Sequence, residues 1–465
     1  MGTSADDIEQ QLYQKRRKIY PREVHGLFAW MRSIGVFVLL GLYYVIPWLQ
    51  WDDRQMVLFD LPARKFYIFG MVFWPQDFIY LTAMLITAAL SLFFFTALAG
   101  RLWCGYACPQ TVWTEAFLWI ERKVEGDRPQ QQKLDKSPMG LHKFRIKATK
   151  HFIWIVFSLY TGLTFVGYFS PMREITPAFF ALATGPWETF WILFYGFATY
   201  GNAGWLREQV CIYMCPYARF QSAMIDKDTL IISYDAARGD PRGGRKKSAD
   251  PAALGLGDCI DCTICVQVCP TGIDIRDGLQ YQCIGCAACV DACDDVMDKM
   301  GYEIGLVRYT TENELEGKKT HVFRPRVIVY LCILAIVTGL TGWSIAERKP
   351  LAMDVIRDRN SLFRESNEGM IENVYTLKIM NMGNERQTYR LSTWAEDIDA
   401  IALMMDAPQI VVDSGEVIEL PVRVQIDPTQ LTERSSEINF RLVSITDAEL
   451  EVEQDARFLG PRPLR

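Results

Sequence analysis

Eight cysteines in one stretch set the chemistry of this chain. They read Cys259-x2-Cys262-x2-Cys265-x3-Cys269-Pro270 and Cys283-x2-Cys286-x2-Cys289-x3-Cys293. Three thiolates at that spacing wrap a turn of chain round one face of an iron–sulfur cube, and the fourth ligand of each cube comes from the other run. One [4Fe–4S] cluster is therefore expected on Cys259, Cys262, Cys265 and Cys293, and the second on Cys283, Cys286, Cys289 and Cys269. Zinc also accepts four thiolates, but its sites use paired C-x2-C units rather than triplets each followed by a fourth cysteine. Thirteen cysteines in 465 residues, twelve of them in tight groups, fit reduced, metal-bound thiolates rather than a disulfide framework.

This stretch of about 35 residues resembles the bacterial two-cluster ferredoxins. It departs from them at Asp294, which stands where the first run has Pro270 and puts the turn after Cys293 in doubt. Gly285, Ala287 and Ala288 are small enough for backbone N–H groups to approach the sulfides. Arg238 to Gly257 reads as a linker into the unit. Gly255-Leu-Gly257 lacks the third glycine and the βαβ setting of a dinucleotide loop. With no flavin or nicotinamide fingerprint, electrons are expected from a partner protein or a quinol.

A second cysteine pattern occurs twice: Arg101-Leu-Trp-Cys104-Gly-Tyr-Ala-Cys108-Pro109, and Cys211-Ile-Tyr-Met-Cys215-Pro216 soon after Arg207. A C-x3-C-P unit after the second and the fourth of the apolar stretches, at the cytoplasmic end of two successive helical hairpins, is an internal repeat. A helical spacing of i and i+4 would put both sulfurs of a pair on one face. If the hairpins are related by a pseudo-two-fold axis, Cys104, Cys108, Cys211 and Cys215 converge beside the ferredoxin-like unit. Such thiolates suit Cu(I), zinc or an iron–sulfur centre, with Met214 as an additional thioether. Buried packing and a disulfide within each pair are the other readings. Cys332 is expected to be inert packing. His25, His142, His151 and His321 show no paired spacing and are expected to be solvated or near headgroups, with no haem.

What must position these residues is a membrane domain. Five stretches approach the roughly 20 apolar residues that span a bilayer core: Ser33–Leu49, Phe78–Gly100, Phe152–Phe169, Thr189–Trp205 and Val327–Ala346. The first 25 residues are polar and no small-residue cleavage site follows, so no cleavable signal is expected. Lys and Arg number six in residues 1–32, three in the next loop, ten in 101–150, one near Arg173 and fifteen in 207–326. That alternation puts the N-terminus inside and the C-terminus outside, cytoplasm and periplasm in a bacterial inner membrane. The expected layout is a cytoplasmic segment 1–32, helices 1–4 over 33–205 with cytoplasmic loop 101–150, and a cytoplasmic segment 206–326. The α+β cluster-binding core of that segment is 255–300, a fifth helix follows at 327–346, and an outer domain occupies 350–465. Thr111 to Val124 reads as a helix that either lies in the cytoplasmic interface or packs as a soluble helix on the loop.

Beyond Arg348 the pattern changes to a period of two: Ile418, Leu420, Val422, Val424 and Ile426; Tyr375, Leu377 and Ile379; Ile438, Phe440 and Leu442. Asn381-Met-Gly383-Asn384 and Asp413-Ser-Gly415 supply turns. An all-β, immunoglobulin-like sandwich is expected there, as a docking module rather than a catalytic one. A net charge of −6 gives no indication of nucleic-acid binding.

Taken together, Arg-Lys-Ile-Tyr-Pro-Arg (17–22), Cys-Gly-Tyr-Ala-Cys-Pro-Gln-Thr from Cys104, and Cys-Pro-Tyr-Ala-Arg-Phe-Gln from Cys215 resemble the oxidase accessory family known as FixG, CcoG or RdxA. The double cysteine run, fifth span and β-rich tail follow in that family's order. The resemblance implies a role in assembling cbb3-type cytochrome c oxidase, with two [4Fe–4S] clusters on the eight cysteines. It implies reduction of Cu(II) to Cu(I), with copper as substrate, at Cys104, Cys108, Cys211 and Cys215. Oxidase assembly factors or copper chaperones would be its partners, with a quinol or a reduced protein as donor. The other readings are a ferredoxin-type quinol dehydrogenase relay, whose cysteine motifs are the same, and an assembly scaffold with structural clusters.

Overall fold

The computed structural model describes residues 18–51, 54–383, 385–405 and 408–461, so Lys15, Arg16, Arg17 and Asn384 lie outside the described residues. The chain divides into two compact units, Met1–Gly339 and Leu340–Arg465.

In the first unit, helix α1 (Leu27–Val45) begins where its free N–H groups meet a carboxylate from far along the chain. Phe28 N and Ala29 N donate to the two oxygens of Asp291 at 3.1 and 2.7 Å. A carboxylate at this end satisfies orphan donors and complements the helix dipole. Gly26 leaves room for it, since a Cβ there would stand 2.4 Å from the Asp291 Cγ. Helix α2 (Phe78–Ala99) carries no charge, and a glycine at positive φ, Gly100, ends it. The short α3 (Leu102–Tyr106), α4 (Pro109–Glu125), α5 (Arg128–Lys136) and α6 (Leu141–Val166) follow. Then α7 (Pro186–Thr199) runs on as a π-helical turn, Tyr200–Leu206. After a second π-turn, Val210–Met214, comes α8 (Pro216–Met224). The cysteine-rich unit holds α9 (Ile264–Gln267) and α10 (Ala288–Met300), and α11 (Pro325–Ala346) ends the helical series.

Among the described residues, three helical segments are long and apolar enough to cross a membrane: Leu27–Trp48, Pro75–Ala99 and Pro325–Ala346. The other two expected stretches differ for identifiable reasons. In α6, Lys143, Arg145, Lys147 and Lys150 occupy the first turns, which shortens the apolar part. Helix α7 has 14 residues before its hydrogen bonding changes to the π pattern. These two pack closely as a hairpin, because a Cβ on Gly162 would stand 2.2 Å from the Ile192 carbonyl oxygen. Helix α4 packs onto the helical unit, burying Phe117, Leu118 and Ile120, with Phe117 on Trp154 of α6 at 5.3 Å between ring centroids, while Trp119 stays exposed. Residues 57–73, read only as a loop, form a three-stranded antiparallel sheet of Val57–Asp60, Lys65–Ile68 and Met71–Phe73.

Strands Ile231–Tyr234 and Val307–Thr310 pair antiparallel and close the cysteine-rich segment into one body. Its core contains Ile232, Ile275, Val290, Leu306 and Val307.

The second unit is a two-sheet β-fold. One sheet orders Ile401–Met404, Val417–Ile426, Ile371–Asn381 and Leu351–Arg357, with Arg364–Glu365 also on Ile371–Asn381; the other orders Ile410–Val412, Gln387–Trp394, Ser435–Ser444 and Glu451–Leu459. The alternating residues face inward as their period requires: Tyr375, Leu377, Val424, Phe440 and Leu442 are buried in one core. Asn381, at the first predicted turn, is buried and donates to the Glu385 carbonyl at 2.8 Å and the Val412 carbonyl at 3.2 Å.

Candidate functional site

The two cysteine runs fold alike. Asp261 (φ 53°) and Gly285 (φ 68°) precede the second cysteine of each run, and Thr263 (φ 58°) and Ala287 (φ 56°) follow it. Left-handed backbone at three non-glycine residues is costly, so its repetition at matching positions marks a conformation that the site imposes. Helices α9 and α10 then start at equivalent places. Cys259, Cys262, Cys265 and Cys293 line one small void; Cys269, Cys283, Cys286 and Cys289 line a second, which Cys265 lines as well. The structure thus places Cys293 with the first run and Cys269 with the second. None of the thirteen cysteines forms a disulfide. Among the described residues, no three His, Cys, Asp or Glu side chains converge tightly enough to hold a single metal ion. Thiols spread round a void suit a cube, whose four irons each take one ligand; when bound, each cube supplies one-electron chemistry.

Burial pushes the thiols up: Cys265 to about 11, and Cys283 and Cys293 to about 12. Cys286 is also raised by burial, with the Arg32 guanidinium opposing the rise. Metal must therefore displace protons held tightly by the apo protein. The doubt over Asp294 resolves simply. Helix α10 continues through it, so no turn is needed after Cys293, and its carboxylate accepts from Gly305 N at 2.8 Å.

The C-x3-C-P cysteines lie in one neighbourhood, with no three of them at single-ion distance, and not as two i, i+4 pairs on continuous helices. Proline restrains the preceding residue to extended backbone, and Cys108 (ψ 128°) and Cys215 (ψ 110°) obey. Each therefore sits at the N-cap of a new helix, α4 or α8, with proline at the first turn. Cys104 and Cys211 lie in the preceding turns. Burial pushes Cys104 up to about 11, and the neighbouring Cys108 and Cys215 add to it. Burial pushes Cys211 up to about 12, reinforced by Cys108, Cys104 and Cys215. At Cys108 burial again raises, opposed by the backbone N–H groups of Thr111 and Gln110 at the helix start. The Cys104 thiol donates to Gln221 Oε1 at 3.4 Å, and Gln221 Nε2 donates to the Gly100 carbonyl at 3.1 Å. Met214, considered as an added thioether, is exposed.

This four-thiol group lies directly against the second quartet. A Cβ on Gly105 would stand 2.8 Å from the Gly285 carbonyl oxygen. Arg101 fastens the junction: its guanidinium donates to the Cys283 carbonyl at 3.2 Å, the Ala218 carbonyl at 2.9 Å and the Tyr281 carbonyl. Arg32 donates to the Cys286 carbonyl, and the Tyr309 hydroxyl donates to the Gly285 carbonyl at 2.6 Å.

Three family models match this chain: a 4Fe-4S dicluster domain over residues 206–312, a 4Fe-4S binding domain over 81–125, and the IG-like fold at the C-terminal of FixG over 341–461. Nitrogen fixation protein FixG of Rhizobium meliloti is 39% identical over 426 residues, which cover 84% of this chain and 81% of FixG. The chain belongs to the FixG family. Protein RdxB of Cereibacter sphaeroides is 40% identical, covering 86% of this chain and 87% of RdxB, and RdxA of the same organism is 39% identical, covering 83% and 84%. A crystal structure of a FixG-related protein from Vibrio parahaemolyticus is 34% identical, covering 24% of this chain and 97% of that one at a TM-score of 0.22.

In this FixG-family chain the 81–125 match contains Cys104 and Cys108 as its only thiols. Arg101 lay beside the first pair in the sequence, but its bonding to the other run did not show there. Arg32 and Asp291 gave no signal beyond their charge. His151, expected to be solvated, instead stacks on Trp205 and contacts the Tyr200 hydroxyl at 3.0 Å. Cys332 is exposed on the outside of α11 rather than packed within the chain.

Proposed function

We propose that this protein is a membrane-anchored electron-transfer protein that reduces Cu(II) to Cu(I) at Cys104, Cys108, Cys211 and Cys215, supplying copper to a cbb3-type oxidase under assembly. The contact between Gly105, inside the first pair, and Gly285 of the second quartet carries the reading, because it sets the thiols that would hold the substrate against the electron source. Soft thiolates bind Cu(I) better than Cu(II), so coordination there favours the reduced ion. Each Cu(II) takes one electron. Copper chaperones or oxidase assembly factors would collect the product. The reading includes five spans in a bacterial inner membrane, N-terminus and cysteine-rich unit cytoplasmic, and the β-domain periplasmic.

The test is anaerobic: dithionite-reduced protein, freed of excess dithionite, is mixed with Cu(II) and a Cu(I)-specific chelator. Cu(I) should appear as the iron–sulfur absorbance returns to its oxidised form. If Cu(II) persists while the protein stays reduced, the reductase reading is abandoned. The 81–125 match to a 4Fe-4S binding domain favours a second reading, a third cluster on the four thiols. Iron decides it: about eight per chain fits copper as substrate, and about twelve fits a third cube. Clusters that no reductant changes would leave the scaffold reading.

A further inference from the structure

A cavity of about 860 Å³ opens between α1, α4, α6 and the second cysteine run. That lies within the roughly 300–1,000 Å³ of small-molecule sites. Val36, Phe37 and Leu40 of α1 and Ile153 and Phe157 of α6 make an apolar wall. Phe37 is also exposed on the side of α1 that would face lipid. His25, Arg32, Glu115 and Arg122 also line the cavity, with Glu115 paired to Arg122 at 3.0 Å. Cys286 and Cys211 both line the cavity, so one void touches the second quartet and the four-thiol group.

We propose that this cavity binds an isoprenoid quinol and is the point where electrons enter. The proposal rests on reading the eight-cysteine unit as an electron carrier, and it names that carrier's donor. An apolar wall that includes the exposed Phe37 of a span suits a prenyl tail. The exposed His25 and the Glu115 carboxylate on the cavity lining suit a ring that must shed protons to solvent. A phospholipid would fit the tail and the arginines, but would gain nothing from redox centres on the wall. The balance is simple: both O–H bonds of the quinol break, two protons leave by way of His25 and Glu115, and two one-electron iron–sulfur acceptors take one electron each.

The test uses the full, cluster-loaded chain in detergent, with decylubiquinone as binding probe and decylubiquinol as reductant. Quenching of tryptophan fluorescence should report saturable binding, since Trp30 and Trp119 line the cavity. An azido-quinone should label peptides from residues 19–40 or 110–122. Ala116→Trp, which fills the cavity, should weaken binding at least tenfold and abolish reduction by decylubiquinol, while dithionite still reduces the clusters fully. Should that variant misfold, Ser33→Trp at an exposed position on the same wall replaces it. Labelling elsewhere, unchanged binding in the folded variant, or displacement of the probe by phospholipid without cluster reduction by quinol overturns the proposal. Failure of dithionite to reduce the protein would instead overturn the carrier reading, and the binding result would stand apart from it.

Discussion

Gly105 and Gly285 meet backbone to backbone, and a Cβ on Gly105 would lie 2.8 Å from the Gly285 carbonyl oxygen and 2.9 Å from the Cys286 Cα. Both neighbours are main chain, so neither can swing aside. Gly285 is held at φ 68°, and its carbonyl also accepts from Tyr309. Gly105→Val should therefore push the two thiol groups apart, at the roughly 1–3 kcal/mol typical of overpacking. Iron bound by the second quartet should fall while the first quartet keeps its cube. Iron analysis with electron paramagnetic resonance of the reduced protein checks this; a fully loaded variant with unchanged spectra would show that the contact is not needed.

Replacing a single ligand should separate the two cubes. Cys262 belongs to the first void only. Cys262→Ser should lower iron from about eight per chain toward about four, leaving the second cube in place. Loss of all iron would mean that the exchanged ligands Cys269 and Cys293 make assembly of the two cubes all-or-none.

Much of this was legible in the cysteine spacing and in the period-two tail, because both patterns are local and each position has one job. What was not legible depended on tertiary contact. Proline after Cys108 and Cys215 was visible, yet the i, i+4 reading ignored that the residue before proline is driven out of the helix. Gly285 advertised its unusual backbone, whereas Asp261 and Thr263, in matching left-handed conformations, did not. Asp291 caps α1 from more than 250 residues away, and no window of sequence contains both partners. The sheet at 57–73 was missed because its strands run only three or four residues, too short for a period to register.

Glu121 makes the acid sensitivity of the helical unit predictable. Its buried carboxylate pairs with Arg207 at 2.7 Å and Lys150 at 3.2 Å, tying α4 to α6 and to the turn before Cys211. Burial raises its pKa, but Arg207, Lys150 and Lys18 outweigh that and hold it below the ordinary glutamate value. The native state thus binds this proton less readily than the unfolded chain. The pair's stabilisation is present above the unfolded value, about 4.3, and is lost as pH falls through the folded one. Glu121→Gln leaves the buried Arg207 without its carboxylate, while Lys150 keeps Glu125 at 2.8 Å, and should cost about 3–5 kcal/mol at neutral pH. Thermal unfolding in detergent should show the parent losing stability below about pH 4 and the variant less dependent on pH there. Equal midpoints for parent and variant at pH 7 would refute the role.

The four C-x3-C-P thiols distinguish a copper reductase from a plain electron relay. Their mutual proximity means that removing one should weaken the whole site, since backbone oxygens replace a soft ligand poorly. Cys104→Ala, Cys108→Ala, Cys211→Ala and Cys215→Ala should each weaken Cu(I) binding by tenfold or more in a competition with a Cu(I) chelator. None of the four lines either cluster void, so iron should stay at the parent level. Cu(II) reduction by dithionite-reduced protein should fall in step with Cu(I) affinity, while reduction of the clusters by quinol should not. Iron that falls by about four in every variant would assign these thiols to a third cube. If all four variants bind Cu(I) and reduce Cu(II) like the parent, the thiols serve packing or relay, and copper must be reduced elsewhere.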